Sequence, residues 1–342
     1  MNNKQWDTLV KVINGERVDS LPVGFIIDSP WLPNWAGMNI LDYYTNDDLW
    51  FHANMKAINE FPEAMFLPGF WSEFGMCSEP SAFGAKCSFP VNEFPHAFKI
   101  IENISDIDGL TLPKPATDGL APFILNRLKI NQKRIEKENH QIRFSVSRGP
   151  LNIAAFLMGT TEFLTSMMLD PEKTKKLLEI ITDYLSQWHE LQRKTFPSID
   201  GILILDDLIG FMGEPEFVEF GLPLFKQLYS PKVSVKFLHN DADCKASVKY
   251  LPEMGVNLFN MGFEPSLNDL KEQTQNKVTM LGNIPPRDVL ANGTPDEVKK
   301  SATELLQSLN DTKHIVFSCG GGMPPGVSTK NIESFIKAIQ NN

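Results

Sequence analysis

Three residues of this sequence have the types and spacing of metal ligands. His239 and Asp241 lie two positions apart directly after the apolar run VSVKFL, and Cys319 follows a second apolar run, HIVFS. An imidazole and a carboxylate at this spacing can reach one ion, and a thiolate from another strand can join them. Zinc accepts nitrogen, oxygen and sulfur ligands in tetrahedral sites, so the three residues are a candidate zinc site. The alternative is a hydrogen-bonded histidine and a buried, unreactive cysteine.

Carboxylates at two further positions are candidates for acid–base chemistry. Asp206 and Asp207 follow the apolar run GILIL, where one can enter a pocket as a general acid or base while the other caps the next segment. Glu73 lies between Trp71 and Phe74, and apolar surroundings raise the pKa of a buried carboxyl. We therefore take Asp206, Asp207 and Glu73 as candidate catalytic residues. Helix capping and a packed hydrophobic loop are the alternatives.

Three consecutive glycines, at positions 320–322, follow Cys319. Without side chains they let the backbone approach a ligand closely, and their N–H groups could form a nest for an anion. The alternative is a simple turn before the last helix.

Short apolar runs alternate with longer amphipathic segments along the whole chain. The amphipathic segments predict helices, and residues 170–172 and 294–297 each join a capping residue to a proline and an acidic first turn. The short runs are rich in Val, Ile, Leu and Phe and predict eight buried strands, at residues 23–27, 64–67, 142–146, 201–205, 234–238, 256–260, 278–282 and 314–318.

Eight strand–helix units predict a single (β/α)₈ TIM barrel over residues 1–342, with an irregular excursion near residues 71–115. A doubly wound open sheet gives the same alternation and is the alternative, although no Gly-x-Gly-x-x-Gly follows the first strand. In a barrel the loops after the strands converge on one face, so polar residues there should line one pocket. The predicted substrate-binding members of this set are Asp28, Trp71, Arg148, Asn260 and Asn283.

The composition excludes several classes of protein. Of 342 residues, 42% are hydrophobic and 22% charged, which is typical of a globular protein. The net charge of −10 gives no basic footprint for nucleic acid. No apolar run approaches the roughly 18 residues of a membrane span, and the start MNNKQWDTLVKVINGE lacks a signal-peptide core. With four cysteines, the chain is predicted to be cytoplasmic with reduced thiols.

Five motifs, in a shared order, resemble the uroporphyrinogen decarboxylase superfamily over nearly the whole chain. They are residues 15–23 (G-x-x-x-D-x-x-P-V), 149–159 (G-P-x-T…G), 206–226 (D-D-x-G…P-x-x-K), 282–295 (G-N-x-D-P…G-T-P) and the tail SCGGGMPPGVSTKNIESF. The superfamily fold is a (β/α)₈ barrel, so the resemblance implies the same fold. The superfamily includes corrinoid-dependent methyltransferases.

The methyltransferase branch carries a zinc site made of His-x-Cys and a later Cys. His239 matches that histidine, Asp241 stands in place of the first cysteine, and the later cysteine aligns with Gly321, two residues after Cys319. A carboxylate in place of a thiolate suits an oxygen substrate, such as an alcohol or a phenolic methyl ether. The resemblance thus implies methyl transfer between a small substrate and a corrinoid (cobalamin) on a partner protein, with zinc assistance, in a homodimer.

Two other functions stay open at the level of sequence. Family members that decarboxylate uroporphyrinogen carry M-R-Q-A-G-R, whose arginines pair with substrate carboxylates, whereas residues 25–31 read FIIDSPW. Glu73, within WSEF, stands where the family's catalytic aspartate lies in F-S-D-I. A lyase acting on a carboxylated tetrapyrrole or a smaller ring is one alternative. A barrel that binds a ligand without turnover is the other.

Overall fold

The computed structural model describes residues 1–341 and contains eight parallel strands in one curled sheet. The strands are β1 (Val23–Ile26), β2 (Ala64–Leu67), β3 (Phe144–Arg148), β4 (Gly201–Leu205), β5 (Val235–Asn240), β6 (Leu258–Met261), β7 (Thr279–Ile284) and β8 (Ile315–Cys319). Their order in the sheet is β2-β1-β8-β7-β6-β5-β4-β3. Apart from β2 and β3, each strand pairs with its successor in the chain, and β1 pairs with β8. A doubly wound sheet would reverse direction at a switch point, so the barrel prediction is confirmed.

Fourteen α-helices lie within residues 1–341. They are α1 (Asn3–Ile13), α2 (Leu32–Ala36), α3 (Ile40–Thr45), α4 (Asp47–Glu60), α5 (Ala121–Lys137), α6 (Pro150–Met158), α7 (Thr160–Leu169), α8 (Pro171–Thr195), α9 (Glu214–Glu216), α10 (Leu222–Leu228), α11 (Leu251–Met254), α12 (Leu267–Gln273), α13 (Pro295–Ser308) and α14 (Thr329–Gln340). Asp170 and Thr294 cap α8 and α13 as predicted. None of these helices is both long and apolar enough to cross a membrane.

Several strands extend further toward their carboxyl ends than the apolar pattern predicts. Pairing along a strand uses backbone groups, which continue regardless of whether a side chain is polar. Four polar residues predicted to follow the strands therefore lie at the last or second-to-last position of their strands, namely Arg148, His239, Asn283 and Cys319. Asn260 is the second-to-last residue of β6. Their side chains are held by paired backbone rather than by loops.

The amino-terminal helix packs at the opposite end of the barrel. Trp6 of α1 meets the ring of Phe144, the first residue of β3, edge-on with centroids 5.4 Å apart. Leu9 and Val12 of the same helix join the interior cluster of the barrel. Because α1 covers the amino ends of the strands, their carboxyl ends are left for the site.

The sheet has a seam between β2 and β3, which do not pair within the described residues. Side chains satisfy the backbone at this edge of β3 instead. The N–H of Val146 donates to Gln192 Oε1 at 3.0 Å, and Val146 O accepts from Gln192 Nε2 and Trp188 Nε1. The N–H of Arg148 donates to Glu79 Oε1 at 3.0 Å. Helix α8 and the excursion thus replace a strand partner.

The excursion at residues 71–115 has little regular structure. It contains an antiparallel pair, Cys87–Ser88 with His96–Ala97, and 3₁₀ turns at Pro80–Phe83 and Ile104–Gly109.

Candidate functional site

Asp207, His239 and Asp241 meet at the carboxyl end of the barrel. One ligand atom of each lies within 4.8 Å of the others. His239 Nε2 is 3.7 Å from Asp207 Oδ1, and the N–H of Asp241 donates to that same oxygen at 3.1 Å. Leu205 at the end of β4 pairs in register with His239 of β5, which explains why Asp207 reaches the imidazole. Two carboxylates and an imidazole are a suitable donor set for a divalent ion.

A hydrogen bond fixes the orientation of the His239 ring. Asn260 Nδ2 donates to the carbonyl of Leu281 at 2.7 Å, so its Oδ1 faces His239 Nδ1, also at 2.7 Å. A carbonyl can only accept, which assigns the two ends of the amide. In the neutral imidazole Nδ1 then carries the proton, and the lone pair of Nε2 faces the aspartates. Metal-binding histidines are commonly oriented in this way.

Neighbouring charges and burial act in opposite directions on the pKa of Asp241. Desolvation raises the pKa of its carboxyl; His239 and Arg287 lower it, and the negative charge of Asp207 raises it again. A cation between the two carboxylates would reverse the repulsion, since an opposite charge favours the ionised form. The charge distribution therefore agrees with the donor geometry.

The glycine-rich loop packs against the carboxylate of Asp241. Gly321 has a φ of +69°, and a Cβ built on it would lie 2.9 Å from Asp241 Oδ2. The N–H groups of Gly320 and Gly321 donate to Ile284 O and Met261 O. The predicted anion nest is therefore wrong for these two groups, because barrel carbonyls already accept both hydrogens.

Asp207, His239 and Asp241 form the candidate metal-ligand cluster, and Cys319 is not part of it. Its side chain is fully buried, and burial raises the pKa of its thiol to about 12. Its Sγ lies 3.9 Å from the carbonyl oxygens of Gly321 and Gly322. The prediction of Cys319 as a metal ligand is corrected: Asp207 occupies the third position among the described residues. Nothing in the sequence around Asp207 or Cys319 indicated that Asp207 would take the place predicted for Cys319.

Asp206 serves helix α6 rather than the mouth of the barrel. It is fully buried, and its carboxylate accepts from the N–H groups of Leu151 and Asn152 at 2.9 and 3.1 Å. These are among the otherwise unpaired amides at the start of α6. The structure thus gives Asp206 a positioning role at α6, and its predicted catalytic role stays a prediction. Asp207 is the member of the pair that lies in the cluster with His239 and Asp241.

Glu73 is buried and held by several donors. Its Oε1 accepts from the N–H and Oγ of Ser29 at 3.1 and 2.7 Å, and its Oε2 accepts from the N–H of Gly75 at 3.1 Å. The guanidinium of Arg148 is 3.8 Å from Oε2. Since the single hydroxyl hydrogen of Ser29 points to Glu73, the hydroxyl of Tyr44 donates to Ser29 Oγ. Glu73 thus joins the loops after β1 and β2.

The carboxyl of Asp28 interacts electrostatically with both Glu73 and Asp241. Burial raises the pKa of its carboxyl well above the usual value; Glu73 and Asp241 raise it further, and Arg148 opposes them. A carboxyl in this environment exchanges its proton at a higher pH than a solvated aspartate. Asp28 is therefore the mouth carboxyl best suited to hold or accept a proton.

The family model for uroporphyrinogen decarboxylase (URO-D) matches residues 4–342. The chain belongs to the URO-D family. Among curated proteins, uroporphyrinogen decarboxylase from Magnetococcus marinus is 23% identical over 276 residues, covering 76% of this chain and 75% of its own. The enzyme of that name from Actinobacillus pleuropneumoniae is 21% identical over 369 residues, covering 99% and 98%.

Two solved structures have the same fold as this URO-D chain. A methyltransferase from Methanosarcina mazei superposes with a TM-score of 0.80 at 20% identity, covering 96% of both chains. A B12-independent methionine synthase from Shewanella superposes with a TM-score of 0.55 at 11% identity, covering 94% of this chain and 96% of its own. At these identities the likeness establishes the fold alone.

Two predicted substrate-binding residues of this URO-D chain make structural hydrogen bonds. Trp71 Nε1 donates to Ile27 O at 3.1 Å, and Asn283 Nδ2 donates to Pro265 O at 2.8 Å. Both bonds anchor loops that border the mouth. Asn260, predicted as substrate-binding, instead orients His239. A substrate contact for Trp71 and Asn283 stays a prediction.

Sequence reasoning missed Ser29 and Glu79. Burial raises the pKa of the Glu79 carboxyl, and its Oε2 has no partner within residues 1–341. It lines a cavity of about 20 Å³ at the seam, room for one water, with Ser72 and Arg148. Neither residue directly follows an apolar run, which was the basis for selecting site residues. Asp28 separates Ser29 from the first strand, and Glu79 lies in the irregular excursion, which has no periodic pattern.

Proposed function

We propose that this URO-D family protein is a methyltransferase that moves a methyl group between a small substrate and a corrinoid carried by a partner protein. The observation that carries the proposal is the cluster of Asp207, His239 and Asp241 at the barrel mouth, with His239 oriented by Asn260. The methyltransferase fold of the Methanosarcina protein supports it.

Asp207 Oδ1, His239 Nε2 and a carboxylate oxygen of Asp241 would hold the ion. Zinc accepts these ligand types, and the replacement of sulfur by oxygen makes the set harder than a thiolate site. Once bound, a divalent ion supplies Lewis acidity that lowers the pKa of a substrate hydroxyl or thiol. Asn260 keeps the correct nitrogen of His239 available, and the glycine loop holds the Asp241 carboxylate against the site.

Asp28 is assigned to proton movement at the mouth. The raised pKa of its carboxyl favours uptake of the proton that the substrate releases, and the positive charge of Arg148 stabilises the ionised carboxylate that accepts this proton. Glu73 already accepts three hydrogen bonds, so we assign it to fixing Arg148 and the loop of Ser29. This differs from the catalytic role that the sequence predicts for Glu73.

The experiment that tests the proposal is metal analysis followed by a methyl-transfer assay. Purified protein dialysed against zinc should hold about one ion per chain, lost in His239→Ala and retained in His52→Ala, an exposed histidine outside the cluster. Cys319→Ala should retain the ion as well. Methyl exchange with free methylcobalamin should then depend on His239. A protein that excludes zinc and other divalent ions would contradict the metal-assisted reaction.

The curated relatives are the reason to test decarboxylation too. The acidic residues at the barrel mouth argue against uroporphyrinogen, which carries eight carboxylates, as the substrate. Asp28, Glu73 and Glu79 converge on the one guanidinium of Arg148, whose positive charge they share. Substrate carboxylates need free cationic partners. We therefore expect no carbon dioxide release from uroporphyrinogen, and release at a rate above background would favour the lyase.

A further inference from the structure

A second cavity, of about 480 Å³, lies outside the metal-ligand cluster. This volume is in the range of small-molecule sites, which runs from about 300 to 1,000 Å³. We call it the aromatic cleft; among the residues that line it are Tyr44, Phe74, Phe89, Phe123, Asn126 and Arg127.

Three rings of the cleft, those of Tyr44, Phe74 and Phe89, pack in a row and form an aromatic wall. The centroids of Tyr44 and Phe74 are 5.5 Å apart, and those of Phe74 and Phe89 are 6.3 Å apart with nearly perpendicular planes. Phe123 also lines the cleft, and its side chain is 64% exposed, so a bound molecule could pack against its ring. Ring faces and edges at these spacings favour a planar aromatic partner over a branched aliphatic one.

Arg127 supplies a polar group that the protein leaves unpaired. Its side chain is only 6% exposed; Nε donates to Asp47 Oδ1 at 2.8 Å, and Nη2 donates to Tyr44 O. Nη1 has no hydrogen-bond partner within the part of the chain described, and buried donors are rarely left so. Asp47 already balances the positive charge. The remaining requirement is an acceptor oxygen without a charge of its own.

The cleft is also connected to the mouth. Tyr44 donates its hydroxyl to Ser29, which donates to Glu73, and Phe74 directly follows Glu73 in the chain. A molecule in the cleft would contact Tyr44 and Phe74, which link the cleft to Glu73 through Ser29 and through the chain.

We propose that the aromatic cleft binds an uncharged, planar aromatic molecule with an oxygen acceptor directed to Arg127. The aromatic wall selects the ring, and the unpaired guanidinium nitrogen selects the oxygen. This site is independent of the metal chemistry proposed above, because none of the residues lining the cleft belongs to the metal-ligand cluster.

The test uses acetophenone as the probe, with benzoate as its charged analogue and toluene as its analogue without oxygen. Asn126→Trp places a large side chain in the cleft from an exposed position of α5. Ile130→Trp, one turn later and 57% exposed, is the matched control outside the cleft lining. Both variants are first checked for unchanged thermal unfolding, and binding is followed by ligand-observed NMR titration.

We expect saturable acetophenone binding that Asn126→Trp weakens at least about tenfold and Ile130→Trp changes less than about twofold. Benzoate and toluene should each bind at least about fivefold more weakly than acetophenone. Affinity should be equal in zinc-loaded and metal-free protein, which separates this proposal from the metal site. Lack of saturation, equal binding by benzoate or toluene, or an unaffected Asn126→Trp variant would each overturn it.

Discussion

The ring of His239 depends on one neighbouring amide. Asn260 directs Nε2 toward the aspartates, and it does so because its own Nδ2 is held by the carbonyl of Leu281. Asp28 depends in the same way on its surroundings, since burial and two neighbouring carboxylates set its pKa. The chemistry of these two residues is decided by side chains on other strands and loops.

Asn260→Ala should weaken zinc binding while leaving the ligands in place. Without the acceptor, the imidazole loses its fixed orientation, and loss of such a partner usually costs about 10- to 100-fold in metal affinity. Competition with a zinc chelator measures the change. Asn257→Ala, at the start of the same strand region but away from the mouth, is the comparison; an equal loss in both variants would show a general structural effect.

Asp28→Asn should make the protein more stable at neutral pH. The folded state binds the proton of Asp28 more tightly than the unfolded state, so the free energy of unfolding falls as pH rises from the usual pKa of 3.8 to the raised value. Asparagine cannot ionise and lacks this loss. Urea unfolding should show a higher free energy of unfolding for the variant at pH 7, and this gain should shrink toward pH 4. The exposed Asp296→Asn substitution serves as control, and a constant difference across this range would contradict the assignment.

At the scale of elements, neighbouring residues after β4 act on different structures. Asp206 binds the first amides of α6, and a Cβ on Gly149 would lie 2.1 Å from its Oδ2, so this junction admits glycine alone without movement. Asp207 begins a 3₁₀ turn, Asp207–Phe211, and faces the mouth. Two adjacent aspartates therefore serve different structures: Asp206 caps a helix, and Asp207 is a candidate metal ligand.

Asp206→Ala and Asp207→Ala should separate stability from metal binding. Loss of the Asp206 cap leaves two buried amides unpaired and should cost about 2 kcal/mol in the free energy of unfolding. Loss of the half-buried Asp207 should change stability by less than about 0.5 kcal/mol while reducing zinc content. Denaturant unfolding and metal analysis on both variants check this. Retained zinc in Asp207→Ala would remove it from the ligand set.

At the scale of the whole molecule, side chains replace strand pairing at the seam between β2 and β3. Gln192 of α8 pairs with both backbone groups of Val146 across the seam. The continuous order of the eight strands and the family match over residues 4–342 support the proposal that the chain is one domain. The homodimer, the corrinoid-bearing partner and the cytoplasmic location stay predictions, as does the absence of nucleic-acid or membrane binding.

Gln192→Leu should destabilise the barrel because the N–H of Val146 then loses its acceptor. A buried, unpaired amide costs about 1 to 3 kcal/mol. Gln307→Leu, exposed on α13, should change the free energy of unfolding by less than about 0.5 kcal/mol. Equal unfolding midpoints for the two variants would mean that the seam contributes no stability through this side chain.

The sequence by itself determined the alternation of strands and helices, and with it the barrel. Apolar runs and capping residues are local signals, and the order of the strands follows once each unit packs beside the previous one. It also identified His239, Asp241 and Asp207 as groups at strand ends. Only the tertiary structure decided which of these groups share a site.

That decision depends on the direction of each side chain and on what else is packed nearby. Cys319 is turned into the core and Asp206 toward α6, although both follow apolar runs in the same way as His239 and Asp207. Glu79 and Ser29 come from loops without periodic pattern; Glu79 accepts from Arg148, 69 residues away in the chain, and Ser29 donates to Glu73, 44 residues away. Such contacts arise from closure of the barrel, which no local stretch of sequence encodes.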